Sequence, residues 1–212
     1  MAAAIHKTRQ SKPERSSERF RAQSEIIETA LGPVEMAACG EGPAVVVLHG
    51  ALGGFDRGMV YSFPETGFKF ICPSRPGYLR TPLEAGTTFE EQAELLAALL
   101  DALGIEQAAV IGCSAGGPPA VYFAARYPQR CWALVMGNAM TGPIKGINTL
   151  MEPVAKMFFG WDWLTWFGVN RGVLYLLRPN LGIQTINNRE KQAHVIAMLR
   201  SMYPTSLRKP GF

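Results

Sequence analysis

Histidine and cysteine are scarce in this 212-residue chain, which contains three histidines and four cysteines. The cysteines show no C-x-x-C spacing, and no cluster of His, Cys, Asp and Glu has the spacing of a metal site. We therefore expect no metal ion. We interpret the cysteines as apolar filling in a reducing compartment rather than as disulfides, and this predicts a cytoplasmic location.

Motifs of cofactor-binding and secreted proteins are also absent from the sequence. No G-x-x-x-x-G-K-[ST] phosphate loop is present, and the glycines of 112–117 do not fit the dinucleotide fingerprint, because a serine stands at its middle position. No apolar segment of the signal-peptide type follows the first residues. These absences predict a protein without a cofactor and without a secretory leader.

Basic charge is concentrated at the N-terminus of a chain whose formal net charge is +4. Residues 1–22 have no apolar periodicity, so we interpret them as a flexible basic arm. Nucleic-acid binding is the alternative, but no aromatic residues suited to base stacking are interleaved there, and we expect no nucleic-acid partner. Overall, 48% hydrophobic and 18% charged residues indicate a globular protein.

The pentapeptide Gly112–Gly116 has the pattern Gly-x-Ser-x-Gly and stands between an apolar run and a helix-like run. This order is typical of a nucleophile elbow, in which Ser114 occupies a strained turn at a helix N-terminus. Gly112 and Gly116 would let neighbouring backbone approach without a Cβ clash. The alternative is an ordinary glycine-rich turn. Cys113 lies one residue from the central position, so we do not expect it to be the nucleophile.

Apolar runs alternate with helical patterns through the middle of the chain. A helix is predicted from Thr88, which forms a capping box with Glu91, to a stop at Gly104, and another follows Ser114 over 118–127. The alternation predicts an α/β fold with a doubly wound, mostly parallel sheet. The predicted strands are Ala44–Leu48, Phe68–Cys72, Ala108–Ile111 and Cys131–Val135.

Over residues 24–137 the sequence resembles the α/β-hydrolase fold superfamily. The resemblance rests on the order and spacing of His49-Gly50, the loop 74–78, the capped helix and the serine elbow. The loop reads Ser-Arg-Pro-Gly-Tyr where the family more often has Asp-Arg-x-Gly. The resemblance implies Ser114 as nucleophile, backbone N–H groups of Ala51 and Ala115 as the oxyanion hole, and a structural loop around His49 and Gly50.

The resemblance also implies a catalytic acid and a histidine downstream of the serine. The chain beyond Ser114 offers one histidine, His194, which is an alternative base, and the acids are Glu152, Asp162 and Glu190. No strand followed by an Asp turn is predicted after Val135. We interpret residues 23–142 as a hydrolase core whose C-terminal strands are missing, residues 143–212 as a helical lid, and the chain as one that stops at the end of that lid.

The predicted lid is rich in large apolar residues, especially over 157–167. These residues either pack on the core, line a pocket for a small apolar acyl substrate, or contact a membrane surface. The strand at Cys131 would form an uncharged sheet edge, which predicts a homodimer as another partner. Together the patterns predict a serine esterase-like hydrolase. The competing interpretation is a catalytically incomplete fragment or a binding protein.

Overall fold

A computed structural model describes residues 24–140, which form one six-stranded sheet. The strand order is β1-β2-β4-β3-β5-β6. Strand β3 lies between β4 and β5 and is parallel to both, and β5 is parallel to β6. Strands β1 and β2 form an antiparallel hairpin, and β2 joins β4 antiparallel. The bounds are Glu25–Thr29, Gly32–Cys39, Ala44–Leu48, Lys69–Pro73, Ala108–Cys113 and Cys131–Gly137 for β1 to β6.

Helices cover both faces of the sheet. They are α1 (Phe55–Val60), α2 (Phe89–Ala102) and α3 (Gly117–Arg126), and 3-10 turns lie at Pro64–Thr66, Leu83–Ala85 and Ser114–Gly116. Side chains of a strand alternate between the two faces. Val46 of β3 therefore packs in the core beneath α2 and α3, whereas Val45 and Val47 pack with Phe55 of α1. Burial on both faces explains why β3 is a continuous apolar run.

The ends of α2 are fixed by side-chain and backbone hydrogen bonds. The Thr88 hydroxyl accepts from the Glu91 backbone N–H, and the Glu91 carboxylate accepts from the Thr88 backbone N–H, which completes the predicted capping box. At the other end Gly104 has φ +65°, and the N–H groups of Gly104 and Ile105 donate to the carbonyls of Asp101 and Leu100. This is a Schellman ending, which favours glycine at the left-handed position.

The α/β fold and the mostly parallel sheet predicted from the sequence are confirmed. Strand β3 has the predicted bounds, β4 lies one residue later than predicted, and β5 and β6 are each two residues longer. The hairpin β1–β2 and the short helix α1 were not predicted. In β1 only alternate residues are half-buried, and this weakens its apolar signal. The predicted basic arm and lid lie outside the described residues. Within residues 24–140 no helix is long and apolar enough to cross a membrane.

Candidate active site

Ser114 lies where β5 ends and the chain turns into a one-turn 3-10 helix followed by α3. Its φ is 49°, in the left-handed region that residues other than glycine rarely adopt. Strain of this kind is maintained only where the surrounding structure imposes it, and it is frequent at active sites. The serine is exposed. The turn therefore presents the hydroxyl outward at the start of a helix.

The two glycines of the pentapeptide allow close backbone contacts around this turn. A methyl group at Gly116 would overlap the carbonyl oxygen of Leu48 and lie 2.7 Å from that of His49. A methyl group at Gly112 would lie 2.8 Å from Cβ of Ala120. Both positions have φ values that any residue can adopt, so close packing is what requires glycine here.

The loop that follows β3 lies against the serine. A methyl group at Gly50 would be 2.9 Å from Cβ of Ser114 and 3.4 Å from its Oγ. Ala51 is the next residue of this loop, and Ala115 is the second residue of the 3-10 turn. Backbone N–H groups in the first turn of a helix have no intrahelical partner and are suited to binding an anion. The two predicted oxyanion donors therefore belong to two segments that meet at Ser114.

His49 is fully buried and both of its ring nitrogens are engaged. Nε2 lies 2.9 Å from the backbone N of Arg75, and Nδ1 lies 2.7 Å from the carbonyl oxygen of Gly50. Because a backbone N–H can only donate, Nε2 must accept, and the ring proton is therefore on Nδ1. The ring also packs edge-to-face on Tyr78, with centroids 4.7 Å apart. The imidazole holds the loop after β3 and is not available to deprotonate Ser114.

A buried carboxylate not identified from the sequence holds the loop that carries Arg75. Glu35 is 1% exposed, and its Oε1 lies 2.7 Å from Nε of Arg80. Its Oε2 accepts from the Arg80 backbone N–H at 3.0 Å and from the Ser74 hydroxyl at 3.2 Å. Ser74 occupies the position where the family more often has Asp. An aspartate there would face Glu35 with a like charge, which explains the serine in physical terms.

The thiol of Cys113, next to Ser114, is not activated. Cys39, Cys72, Cys113 and Cys131 are all free. Burial raises the pKa of the Cys113 thiol, and the nearby charge of Arg57 offsets this only in part. A thiol whose pKa is raised stays protonated and unreactive near neutral pH. Cys113 is therefore a poor nucleophile. Within residues 24–140 no group of His, Cys, Asp and Glu could hold a metal ion.

The chain after β6 returns to the elbow, which the sequence pattern did not indicate. The backbone N–H of Met140 donates to the carbonyl oxygen of Ser114 at 2.9 Å. A methyl group at Gly117 would lie 2.6 Å from Cβ of Ala139. Asn138 has φ 48°, so the turn out of β6 is also strained. These contacts support the serine turn from residues that follow it in the sequence, whereas the Gly50 loop precedes it. The sequence gives no sign of the Met140 contact, because a backbone hydrogen bond does not depend on residue type.

The predicted alternative base, His194, and the acids Glu152, Asp162 and Glu190 lie outside the described residues. The predicted pocket between Ser114 and residues 143–212 also lies outside them. Within residues 24–140 the single histidine is His49. The described part of the chain thus brings together Ser114, the segments that carry Ala51 and Ala115, and the loops that support them.

Comparison with known proteins identifies the fold family. Residues 43–169 match the alpha/beta hydrolase fold family, and the chain belongs to that family. An alpha/beta hydrolase fold protein from Nakamurella multipartita is 30% identical, with a TM-score of 0.62. The likeness covers 84% of this chain and 68% of that one.

Two curated relatives are hydrolases by name. The uncharacterized hydrolase YcgS of Bacillus subtilis (strain 168) is 38% identical over 111 residues, which cover 52% of this chain and 39% of that protein. The 2-hydroxy-6-oxo-6-phenylhexa-2,4-dienoate hydrolase of Comamonas testosteroni is 33% identical over 135 residues, covering 55% of this chain and 46% of that protein. The match thus spans less than half the length of these relatives.

Proposed function

We propose that this chain carries the nucleophile and the oxyanion hole of a serine hydrolase that acts on an ester, thioester, lactone or related acyl substrate. The observation that carries the proposal is the placement of Ser114, with φ 49° at the head of α3 and in contact with the Gly50 loop. The names of the curated relatives support hydrolysis as the reaction class. Because the match spans only part of those relatives, their substrates are not transferred to this chain.

In the proposed reaction, Oγ of Ser114 attacks the carbonyl carbon of the substrate. The carbonyl oxygen becomes an oxyanion that accepts from the backbone N–H groups of Ala51 and Ala115, each contributing about 3 kcal/mol to the transition state. The leaving group departs with a proton, and water then hydrolyses the acyl-serine ester. A histidine takes the proton from Oγ in the family, and His194 is the candidate in this chain. The reaction needs no cofactor.

The surroundings of the site extend the proposal. We infer that residues 143–212 cover Ser114 and bind a small apolar acyl group, with a membrane-surface contact through the aromatic residues of 157–167 as the alternative.

We also propose that the protein is cytoplasmic and that it forms a homodimer through β6. The exposed side chains of Trp132, Leu134 and Val135 on β6 support the homodimer.

Acylation of the protein by p-nitrophenyl acetate tests the assignment of Ser114. We expect mass spectrometry of quenched samples to find an acetyl group on Ser114, and the Ser114→Ala variant to lack it. Cys113→Ala is the matched control, since it removes the neighbouring thiol and should leave the acetylation unchanged. Acetyl groups only on Cys113, or equal acetylation of the Ser114→Ala variant, would overturn the proposal.

A non-catalytic binding protein is the second candidate. It is favoured by one observation, namely that the single imidazole of residues 24–140 is engaged by Arg75 and Gly50. A binding protein would bind a non-hydrolysable acyl analogue saturably and form no acyl-serine. The Ser114→Ala variant would then bind the analogue with unchanged affinity. Calorimetry on the two proteins, read beside the acylation result, separates these functions.

A further inference from the structure

A strained leucine lies in the loop that follows β3. Leu52 has φ 56°, in the left-handed region where the Cβ of an L-residue comes too close to the following carbonyl. The residue is 9% exposed and is therefore buried. Ala51, the proposed oxyanion donor, directly precedes it and is exposed. A strained conformation persists only where the surrounding structure imposes it, so Leu52 must be held in place.

Glycine would relieve the strain at this position, and glycine is used elsewhere in the same loop. The φ values of Gly50, Gly53 and Gly54 all lie outside the left-handed region. A methyl group at Gly53 would overlap the His49 ring, so close packing is what requires glycine there. The left-handed position nevertheless carries Leu52, which indicates that the leucine side chain is needed.

Burial of the Leu52 side chain supplies the stabilisation that offsets this strain. Burying a leucine side chain contributes at least as much free energy as one left-handed residue costs. Leu52 is in neither of the two hydrophobic clusters of residues 24–140, so its burial holds the loop rather than the sheet. Glycine could adopt the same backbone conformation but could not hold the loop in it.

Both ends of this loop are fixed, and Ala51 lies between them. On one side, Nδ1 of His49 lies 2.7 Å from the carbonyl oxygen of Gly50. On the other side, Gly53 packs on the same imidazole ring, and α1 follows. A change of φ at Leu52 must therefore be compensated by rotations at Ala51 and Gly50. These rotations would redirect the backbone N–H of Ala51.

We propose that Leu52 is a positioning residue for the reaction of Ser114. Its buried side chain maintains the left-handed backbone conformation that directs the N–H of Ala51 towards the oxyanion. Leu52 acts through Ala51 and does not touch the reacting atoms. The role of Leu52 rests on the proposed hydrolase function, and the experiments below distinguish the failure of one from the failure of the other.

Three substitutions separate the backbone conformation of Leu52 from its side chain. Leu52→Gly keeps the left-handed conformation accessible but removes the side chain. Leu52→Val keeps an apolar side chain, but a β-branched residue strongly disfavours that conformation. Leu52→Met keeps both. We expect the maximal rate of Ser114 acylation by p-nitrophenyl acetate, followed by mass spectrometry, to fall roughly tenfold or more in the glycine and valine variants.

The half-saturating ester concentration should not change, because the proposed role concerns the transition state rather than binding of the ester. The rate of Leu52→Met should stay within about twofold of wild type. Leu79→Gly is the matched control, because Leu79 has φ 52° on the loop after β4 and is not next to Ala51. Its acylation rate should match that of the wild-type protein.

A second ester tests whether the lost rate concerns the oxyanion. Sulfur accepts hydrogen bonds more weakly than oxygen, so acylation by p-nitrophenyl thionoacetate gains less from the backbone donors. Leu52→Gly should therefore slow acylation by the thionoester less than acylation by the acetate. A general loss of structure would slow both reactions equally, and that result would overturn the proposed role of Leu52.

The wild-type protein separates this proposal from the proposed function. Acylated wild type together with an equally fast Leu52→Gly variant would overturn the role of Leu52 and leave the hydrolase function standing, whereas no acyl group on wild-type Ser114 would overturn both. Crystal structures give a readout without activity, since the loop 50–53 should be displaced in Leu52→Gly and Leu52→Val but not in Leu52→Met. An undisplaced loop would overturn the role of Leu52, and the valine and methionine variants suffice if Leu52→Gly does not fold.

Discussion

The backbone N–H of Arg75 donates to Nε2 of His49 across 2.9 Å, and this bond joins the loops that follow β4 and β3. The bond fixes the ring proton on Nδ1, which in turn holds the carbonyl of Gly50. Because Gly50 lies against Ser114, the loop after β4 supports the position of this serine through His49.

Glu35→Gln should lower the free energy of unfolding by about 2 kcal/mol. The substitution removes the charge of a carboxylate that is 1% exposed and that accepts hydrogen bonds from Arg80 and Ser74. This loss is smaller than the loss for a fully buried ion pair, since the Arg80 side chain is 37% exposed. Glu94→Gln is the control, as it breaks the exposed Arg126–Glu94 pair and should change the free energy of unfolding by less than about 0.5 kcal/mol. Urea denaturation of the two variants measures the difference, and equal losses would contradict the prediction.

Gly50→Ala should slow acylation of Ser114 by roughly tenfold or more, since a methyl group would lie 2.9 Å from Cβ of the serine and displace the loop that carries Ala51. Gly137→Ala is the matched control on β6, where the added methyl would only reach ordinary contact, 3.6 Å from Sγ of Cys113. Mass spectrometry of samples quenched over the time course of acylation by p-nitrophenyl acetate measures both rates. An unchanged rate in Gly50→Ala would show that the loop is farther from the reacting hydroxyl than the structure indicates.

The sequence predicted those parts of the fold whose determinants are local. Thr88 and Glu91 are three residues apart, the elbow is five consecutive residues, and β3 is a continuous apolar run, so each could be recognised directly. The support of the site could not, because Glu35 and Ser74 are 39 residues apart in the chain. Glu35 occupies a strand whose pattern gives no sign that a carboxylate is buried there. Its partners are specified only when the sheet is assembled.

The Cys72 thiol should make the fold sensitive to alkaline pH. Burial raises its pKa from the ordinary 9.0 to about 12, and the Ser62 hydroxyl opposes this only in part. The unfolded chain ionises near pH 9 while the folded thiol stays protonated. The stabilisation of the fold that comes from keeping this thiol protonated is thus complete below pH 9 and is lost as the pH rises towards 12. Between pH 9 and 11 we expect the free energy of unfolding, measured by urea titration, to fall by about 2 kcal/mol less in Cys72→Ala than in the wild-type protein. Parallel pH profiles of the two proteins would contradict this.

Ser114 should react slowly unless His194 serves as its base, because His49, the histidine of residues 24–140, is engaged by two hydrogen bonds. Without a base the hydroxyl has the reactivity of an ordinary alcohol. Hydrolysis of p-nitrophenyl esters should exceed the reaction in water by roughly a thousandfold, from the oxyanion donors and binding alone. A fluorophosphonate probe should label the protein poorly. Rapid stoichiometric labelling would show that a base is present, and its loss in His194→Gln would identify that residue.

Strand β6 should drive self-association of the chain. Within residues 24–140 it pairs only with β5, and Trp132, Leu134 and Val135 are 48%, 38% and 50% exposed. An uncharged edge with exposed apolar side chains favours pairing with a second sheet edge. Size-exclusion chromatography with light scattering should therefore find a dimer or larger species that binds a hydrophobic dye. Val135→Lys should shift it towards monomer, whereas Val121→Lys, at a valine on α3 that is 42% exposed, should not. A dye-silent monomer that unfolds cooperatively would show that other residues of the chain cover this edge.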